Sequence, residues 1–149
     1  MTEILYYHLT EKTLENVLPG LVQKSLDRDW NVVIQAGSLE RVQSLDNLLW
    51  TWRDDSFPPH GATRDGTESE QPVWLTDETD TPNNAQIRFL VDGAGIDDPT
   101  PFERVVYLFD GHDNDAVEAA RVQWKADKAQ GYDLTYWQQD ASGKWQKKA

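Results

Sequence analysis

The chain contains no cysteine, so it can form neither a disulfide bond nor a thiolate metal site. It also has no apolar run approaching the roughly 18 residues that a membrane-spanning helix needs. Its first residues, MTEILYYHLT, do not have the basic and then apolar segments of a secretory signal. These absences lead us to expect a cytoplasmic protein that makes no contact with a membrane.

Positive charge is scarce. The chain has 14 Lys and Arg residues but 26 Asp and Glu residues, which gives a net charge of −12. A field of this sign repels a phosphate backbone, so direct binding to DNA would need a strongly segregated basic patch. The acidic residues concentrate in loop segments, whereas cations gather near the end of the chain, at Arg121, Lys125, Lys128, Lys144, Lys147 and Lys148. For locating a binding surface, this uneven distribution of charge matters more than the net charge of the chain.

Motifs for catalysis, metals and phosphates are missing. The three histidines, His8, His60 and His112, are far apart and do not have a metal-ligand spacing. No serine lies in a Gly-x-Ser-x-Gly elbow. The segment 93–95 (GAG) lacks both the third glycine of GxGxxG and a Gly-Lys-Ser/Thr ending, so it is interpreted as a turn. We therefore predict no catalytic site, no metal site and no cofactor.

Length and periodicity predict a single α/β domain over residues 1–149, with no linker. Strands and helices alternate along the chain. Predicted strands are 4–8, 31–35, 73–76, 87–91 and 104–109, with a hairpin formed by 133–139 and 144–146; predicted helices are 13–28, 39–52 and 113–130. The connections between the strands at 73–76, 87–91 and 104–109 are too short for full crossover helices, so the pattern leaves open whether all strands are parallel.

Several residues mark the helix ends. Ser38 is a plausible N-cap, and either Asp113 or Asn114 caps the last helix. Gly131 occupies the position of a left-handed C-terminal residue. Pro19 in the first helix means that the regular helix begins near Leu18 or is kinked there.

The last predicted helix separates two kinds of side chain. One stripe is expected to be its buried face and contains Ala119, Val122, Ala126 and Ala129. On a different face, Arg121, Lys125 and Lys128 fall within about one sixth of a turn, with Trp124 beside them and Val117 on the same flank. Such a row suits a ligand that is acidic and carries an aromatic or aliphatic group. The alternative is that Arg121 and Lys125 merely pair with acids such as Glu118 on a solvated face.

A second candidate surface is the segment 45–61 (LDNLLWTWRDDSFPPHG), in which an amphipathic helix leads into a loop rich in large apolar side chains. The apolar residues are Trp50, Trp52, Phe57, Pro58 and Pro59. A cluster of this kind packs under its loop or binds a partner.

The order and spacing of several short blocks resemble one protein family over essentially the whole chain. The blocks are YYHL at 6–9, LD at 45–46 with LW at 49–50, SF at 56–57 with PHG at 59–61, QPV at 71–73, FDG at 109–111, and AR at 120–121 with WK at 124–125 and Gly131. The chain is similar to the chi subunit of bacterial DNA polymerase III. This resemblance implies a three-layer α/β/α, Rossmann-like fold with a mostly parallel or mixed central sheet and no phosphate loop.

The resemblance also implies a function. Chi subunits are adaptors of the clamp-loader assembly, in which one surface binds the psi subunit and another binds the acidic, phenylalanine-ending C-terminal tail of single-stranded DNA-binding protein. Carried over by position, the psi-facing surface corresponds to Trp50, Phe57 and Pro58, supported by Pro59 and His60. The tail-binding site corresponds to Arg121, Lys125 and Trp124, and Lys128 and Val117 lie on the same side of the helix.

Under this interpretation any association with DNA is indirect, and another clamp-loader protein could take the place of psi. The residues 51–52 and 138–146 depart from the family pattern. Two alternatives stay open, a nucleotide-binding enzyme on a Rossmann-like sheet and a binder of single-stranded DNA that uses tryptophans as stacking platforms. The enzyme would need phosphate-cradling glycines, which are absent, and the DNA binder would need a basic groove, whereas Trp50 and Phe57 are followed by acids.

Overall fold

The computed structural model describes residues 2–51, 60–62, 73–77, 85–91, 93–96, 99 and 101–148. The strands are β1 (Glu3–Leu9), β2 (Val32–Gln35), β3 (His60–Ala62), β4 (Val73–Thr76), β5 (Ile87–Leu90), β6 (Arg104–Asp110), β7 (Asp133–Gln139) and β8 (Trp145–Lys147), and the helices are α1 (Leu14–Asp27), α2 (Leu39–Thr51) and α3 (Asn114–Ala129). The predicted helices and strands are all present, and β3 is an additional strand that the sequence analysis did not predict.

The eight strands form one sheet in the order β3-β4-β2-β5-β6-β1-β7-β8. Every pairing is parallel except the last, because β7 and β8 form the predicted antiparallel hairpin. The short connection between β4 and β5 is compatible with a parallel sheet, since these two strands are not neighbours but lie on either side of β2. This arrangement resolves the orientation that the sequence left open.

Two apolar clusters on opposite faces of the sheet make the fold three-layered. Helices α1 and α2 pack on one face through residues such as Leu18, Val22 and Leu45, which belong to a cluster with alternate residues of the central strands. Helix α3 packs on the other face, where Ala120 and Trp124 join a cluster with Ile4 and Tyr6. The α/β/α expectation is therefore confirmed.

The predicted helix ends are mostly confirmed. The hydroxyl oxygen of Ser38 accepts a hydrogen bond from the backbone N–H of Arg41 at 3.2 Å, which is the geometry of an N-cap. Gly131 has a φ of 83°, in the left-handed region. Helix α1 begins at Leu14 and contains Pro19 in its interior, so of the two alternatives for Pro19 a helix start near Leu18 is excluded.

The predicted buried face of α3 is wrong. In α3 the alanine stripe expected to face the sheet lies outside, and Val122 within it is 62% exposed. The reason is size, because the opposite side of α3 carries Trp124, whose ring buries far more apolar surface against the sheet than alanine side chains would.

None of the helices in the part of the chain that is described is long and apolar enough to cross a bilayer.

Candidate functional site

Helix α3 rests on a row of three tyrosines. Tyr6 of β1 lies opposite Tyr107 of β6 and Tyr136 of β7 in the sheet register. The rings of Tyr6 and Tyr107 are stacked, with centroids 4.8 Å apart and an angle of 14° between their planes. Trp124 meets this row edge-on, at 5.3 Å from Tyr6 and 5.8 Å from Tyr136. Aromatic contacts thus fix which side of α3 faces the sheet.

A buried carboxylate fixes α3 further. Asp127 is 6% exposed, and it accepts hydrogen bonds from the hydroxyl group of Tyr6 and, at 2.9 Å, from the side-chain amide of Gln123. Burial and the hydrogen bond to Asp127 raise the pKa of Tyr6 well above its ordinary value, so its hydroxyl group remains a donor. Because an unpaired buried charge would be costly, these donors are what allow an acid on the buried side of the helix.

The predicted cations lie together on the outside of α3. Arg121, Lys125 and Lys128, which we call the cationic row, are all exposed. Within the described ranges the recorded ion pairs are Arg41 with Glu15 and Arg104 with Glu3, so none of the three cations of the row is paired. The alternative in which Glu118 neutralises Arg121 or Lys125 is therefore not observed in this part of the chain.

Partly exposed aromatic side chains extend from Trp124 toward the carboxyl ends of β1 and β6. Tyr136 contacts both Trp124 and His8, and its hydroxyl group lies 2.6 Å from Nδ1 of His8. The His8 ring in turn lies 5.0 Å from that of Phe109. We call Trp124, Tyr136, His8 and Phe109 the aromatic patch. The sequence analysis missed three of these four residues, because they come from three strands that only the sheet register brings together.

Electrostatics link the cationic row to the aromatic patch. Burial lowers the pKa of His8, and the nearby charges of Arg121 and His112 lower it further, whereas Asp110 acts in the opposite direction. Burial raises the pKa of Tyr136, and Arg121 opposes that rise. The charge of Arg121 thus acts on both residues. Val117, also predicted for this site, is partly exposed on the same helix.

The second predicted surface falls largely outside the described residues. Phe57, Pro58 and Pro59 are outside them. The backbone of Trp50 lies in helix α2 and not in the loop that follows it, and the backbone of His60 lies in strand β3. The side chains of Trp50 and His60 are likewise outside the described part, so this surface stays a prediction.

A cavity of about 870 Å³ opens at the carboxyl ends of β1 and β6, between the starts of α1 and α3. Its lining includes Leu9, Thr13, Phe109, Ala116 and Ala119, and it excludes every cation of the row. Ala119 lies on the flank of α3 away from Arg121. The cavity is therefore not the apolar cleft expected beside the cations, a role that the aromatic patch fills better.

The loop between β1 and α1 is where nucleotide-binding α/β folds hold a phosphate group. Here the backbone N–H groups of three successive residues, Thr10, Glu11 and Lys12, donate to the side-chain oxygen of Gln139 at 3.0, 3.0 and 3.1 Å. Gln139 ends strand β7 and is 4% exposed. The chain's own side chain thus occupies the donors that would face an anion, which disfavours the nucleotide-binding alternative. No cluster of three metal-ligating side chains occurs in the described residues.

Fold and site together define a Rossmann-like α/β/α protein whose first loop is closed by a side chain and whose last helix displays cations that form no ion pair with any described residue. A family model described as "DNA polymerase III chi subunit, HolC" matches residues 1–135. The chain belongs to this family of replication accessory subunits, as its sequence motifs indicated.

A curated relative supports the assignment. The chain is 27% identical over 96 residues to the "Probable DNA polymerase III subunit chi" of Rickettsia prowazekii (strain Madrid E). That alignment covers 64% of this chain and 58% of the relative.

Proposed function

We propose that this protein is a non-catalytic adaptor of the DNA polymerase III clamp-loader complex that binds the acidic C-terminal tail of single-stranded DNA-binding protein. The binding site is the outer side of α3, where the cationic row meets the aromatic patch. Through this site the association with DNA is indirect, by way of the bound protein, and the adaptor acts in the cytoplasm with the replisome.

The observation that carries this proposal is the cationic row, which has no ion-pair partner in the described part of a chain of net charge −12. A peptide tail that ends in phenylalanine presents a terminal carboxylate, a preceding run of aspartates and one aromatic ring. Arg121 can hold a carboxylate with two parallel hydrogen bonds, and Lys125 and Lys128 lie along the same helix face for the aspartates. Tyr136 and Trp124 offer ring edges to the terminal side chain.

The rest of the molecule favours this one location. The acidic loops repel an acidic tail, so charge confines the tail to the few places where cations gather. Since the cations are exposed, their attraction is screened by salt, and the contact is weak to moderate.

A second contact, with the psi subunit or an equivalent clamp-loader protein, is proposed at the segment that contains Trp50, Phe57, Pro58, Pro59 and His60. Family membership and the concentration of apolar residues in this segment support it. An adaptor needs two separate surfaces, and α2 lies on the face of the sheet opposite to α3.

The experiment is fluorescence anisotropy with a labelled acidic peptide that ends in phenylalanine. We expect Arg121→Gln to weaken binding by about 1–3 kcal/mol, because it leaves a charged partner unmatched. The control is Lys24→Gln, which removes one charge from an exposed position on α1 on the other face of the sheet. The same peptide with a C-terminal amide should bind the parent chain more weakly than the free acid does.

Equal affinity of the parent and Arg121→Gln would overturn the tail-binding proposal. So would equal binding of the free acid and the amide, because the site is built around the terminal carboxylate.

A further inference from the structure

The C-terminal hairpin of β7 and β8 carries cations and aromatic rings that the proposed tail site does not use. Lys144, Lys147 and Lys148 are exposed, and Trp137 and Trp145 are partly exposed. The hairpin lies at the edge of the sheet, since β8 is its last strand. It is thus separate from the outer side of α3.

The sheet register brings these residues onto one surface. Trp137 pairs directly with Lys147, and Gln139 pairs with Trp145, so both tryptophans point to the same face of the hairpin. Tyr7 of the neighbouring strand β1 lies opposite Trp137. Ring centroids are 4.7 Å apart for Tyr7 and Trp145 and 6.5 Å apart for Tyr7 and Trp137. Three rings from three adjacent strands therefore form a continuous group.

The lysines of the hairpin are available to an external anion. Among the described residues, Lys144, Lys147 and Lys148 form no ion pair, and Lys148 makes only a long contact of 3.5 Å with Gln146. The nearest acid in the turn is Asp140, which Lys144 approaches. Its carboxylate accepts hydrogen bonds from Ser142 and from the backbone N–H of Lys144 within the turn, and these lower its pKa.

Acids at the far end of the same strands are few. Glu3 at the start of β1 pairs with Arg104 at 2.9 Å. Asp133 begins β7 and lies four residues from Trp137. The hairpin is thus locally cationic at β8, in contrast to the molecule as a whole.

We propose that this surface, the hairpin face, binds single-stranded nucleic acid; it consists of Tyr7, Trp137, Trp145, Lys144, Lys147 and Lys148. Unstacked bases lie against the partly exposed rings. The phosphate backbone follows the edge strand, where lysines on both faces of the hairpin can reach the phosphates. Stacking of bases on aromatic side chains does not depend on sequence, because every base has a π-face. The contact would be weak, since the net charge of the chain opposes it.

Single-stranded nucleic acid fits this surface better than a nucleic-acid duplex or an acidic peptide does. A duplex keeps its bases stacked inside and offers nothing to the rings, and an acidic peptide lacks the repeated planar groups that could use three of them. This location also differs from the acid-flanked segment around Trp50 that a tryptophan-based DNA binder would have used, because the hairpin couples its rings to lysines.

The test is anisotropy of a labelled 20-nucleotide oligothymidine titrated with the full chain at low salt. We expect affinity to fall about twentyfold between 50 and 200 mM salt, as three phosphate contacts to a single strand predict. The triple variant Lys144→Gln, Lys147→Gln, Lys148→Gln should bind about tenfold or more weakly at low salt. Lys24→Gln removes one exposed charge from α1, outside the hairpin face, and should bind like the parent. Thermal unfolding by circular dichroism checks that the variants fold.

A second arm tests the rings. An oligonucleotide of the same length with abasic sites should bind about tenfold more weakly than oligothymidine, because it keeps the phosphates and loses the stacking groups. The proposal is overturned if oligothymidine fails to bind at 50 mM salt, if the triple variant binds as tightly as the parent, or if abasic and normal strands bind alike. An oligoglutamate peptide that displaces the oligonucleotide at equal concentration would assign the surface to acidic proteins instead.

Discussion

The hydroxyl group of Tyr6 donates a hydrogen bond to the carboxylate of Asp127, and this bond joins β1 to α3 across 121 residues of sequence. Both residues are buried. Since Asp127 is two residues from Lys125 and one from Lys128, the bond also fixes how α3 is rotated about its axis. It therefore determines which side chains of the helix face outward.

Tyr6→Phe should lower the free energy of unfolding by about 1.5–3 kcal/mol, because it removes a hydrogen bond to a buried charged group. Urea denaturation followed by circular dichroism measures the effect. Tyr107→Phe is the matched control. Among the described residues the Tyr107 hydroxyl group has no hydrogen-bond partner, although its ring stacks on Tyr6. A loss of similar size in both variants would show that ring packing, not the bond to Asp127, is what matters.

Gln139→Ala should destabilise the chain by about 2–3 kcal/mol, since three backbone N–H groups of the loop at 10–12 lose their common acceptor. The neighbouring Gln138→Ala provides the control, because its side chain points to the other face of β7 and makes no hydrogen bond with any described residue. Hydrogen exchange of the Thr10, Glu11 and Lys12 amides gives a local measurement. If those amides stay equally protected in Gln139→Ala, the loop does not depend on the glutamine.

The stability of the chain should fall on mild acidification partly through His8. Burial and the charge of Arg121 lower the pKa of His8 below its ordinary value of 6.5. At pH values between the lowered pKa of His8 in the folded chain and its ordinary pKa, the unfolded chain binds more protons than the folded chain. The free energy of unfolding therefore decreases as the pH falls from about 7. Chemical denaturation at several pH values should give a shallower pH slope for His8→Gln than for the parent. Identical slopes would contradict a lowered pKa of His8.

Phe57→Ala should leave tail-peptide affinity unchanged and reduce capture of the clamp-loader partner. The reason is that the two proposed surfaces use different segments of the chain. A pull-down with purified psi subunit, performed beside peptide anisotropy, measures both properties. Loss of both together would indicate that the variant is unfolded and would remove support for two independent surfaces.

Local signals in the sequence were enough to predict the three helices and every described strand except β3, which lies in a segment expected to be a loop. Ser38 and Gly131 marked helix ends, and alternating apolar runs located the strands, because caps and periodicity act within a few residues. The parallel sheet could not be assigned in the same way. Strand order depends on contacts between segments far apart, and the position of β2 between β4 and β5 leaves no trace in the length of a loop.

The candidate site was half predictable. Helical spacing alone placed Arg121, Lys125 and Lys128 on one face, and the structure keeps them there. The same method chose the wrong buried side, because it counted alanines as core residues and could not know that Tyr6 would supply a partner for Asp127. Helical spacing could not predict the site residues on the strands, which are His8, Phe109 and Tyr136, since only the register of β1, β6 and β7 makes them neighbours.

The most direct test of the central claim is a nuclear magnetic resonance titration of the isotope-labelled chain with the acidic, phenylalanine-ending peptide. We predict that the largest shifts occur at the amides of 117–128, the indole N–H of Trp124 and the side chains of His8 and Tyr136, with little change in β8. Shifts concentrated in the cavity between α1 and α3, or in the hairpin, with the cationic row unaffected, would contradict the account.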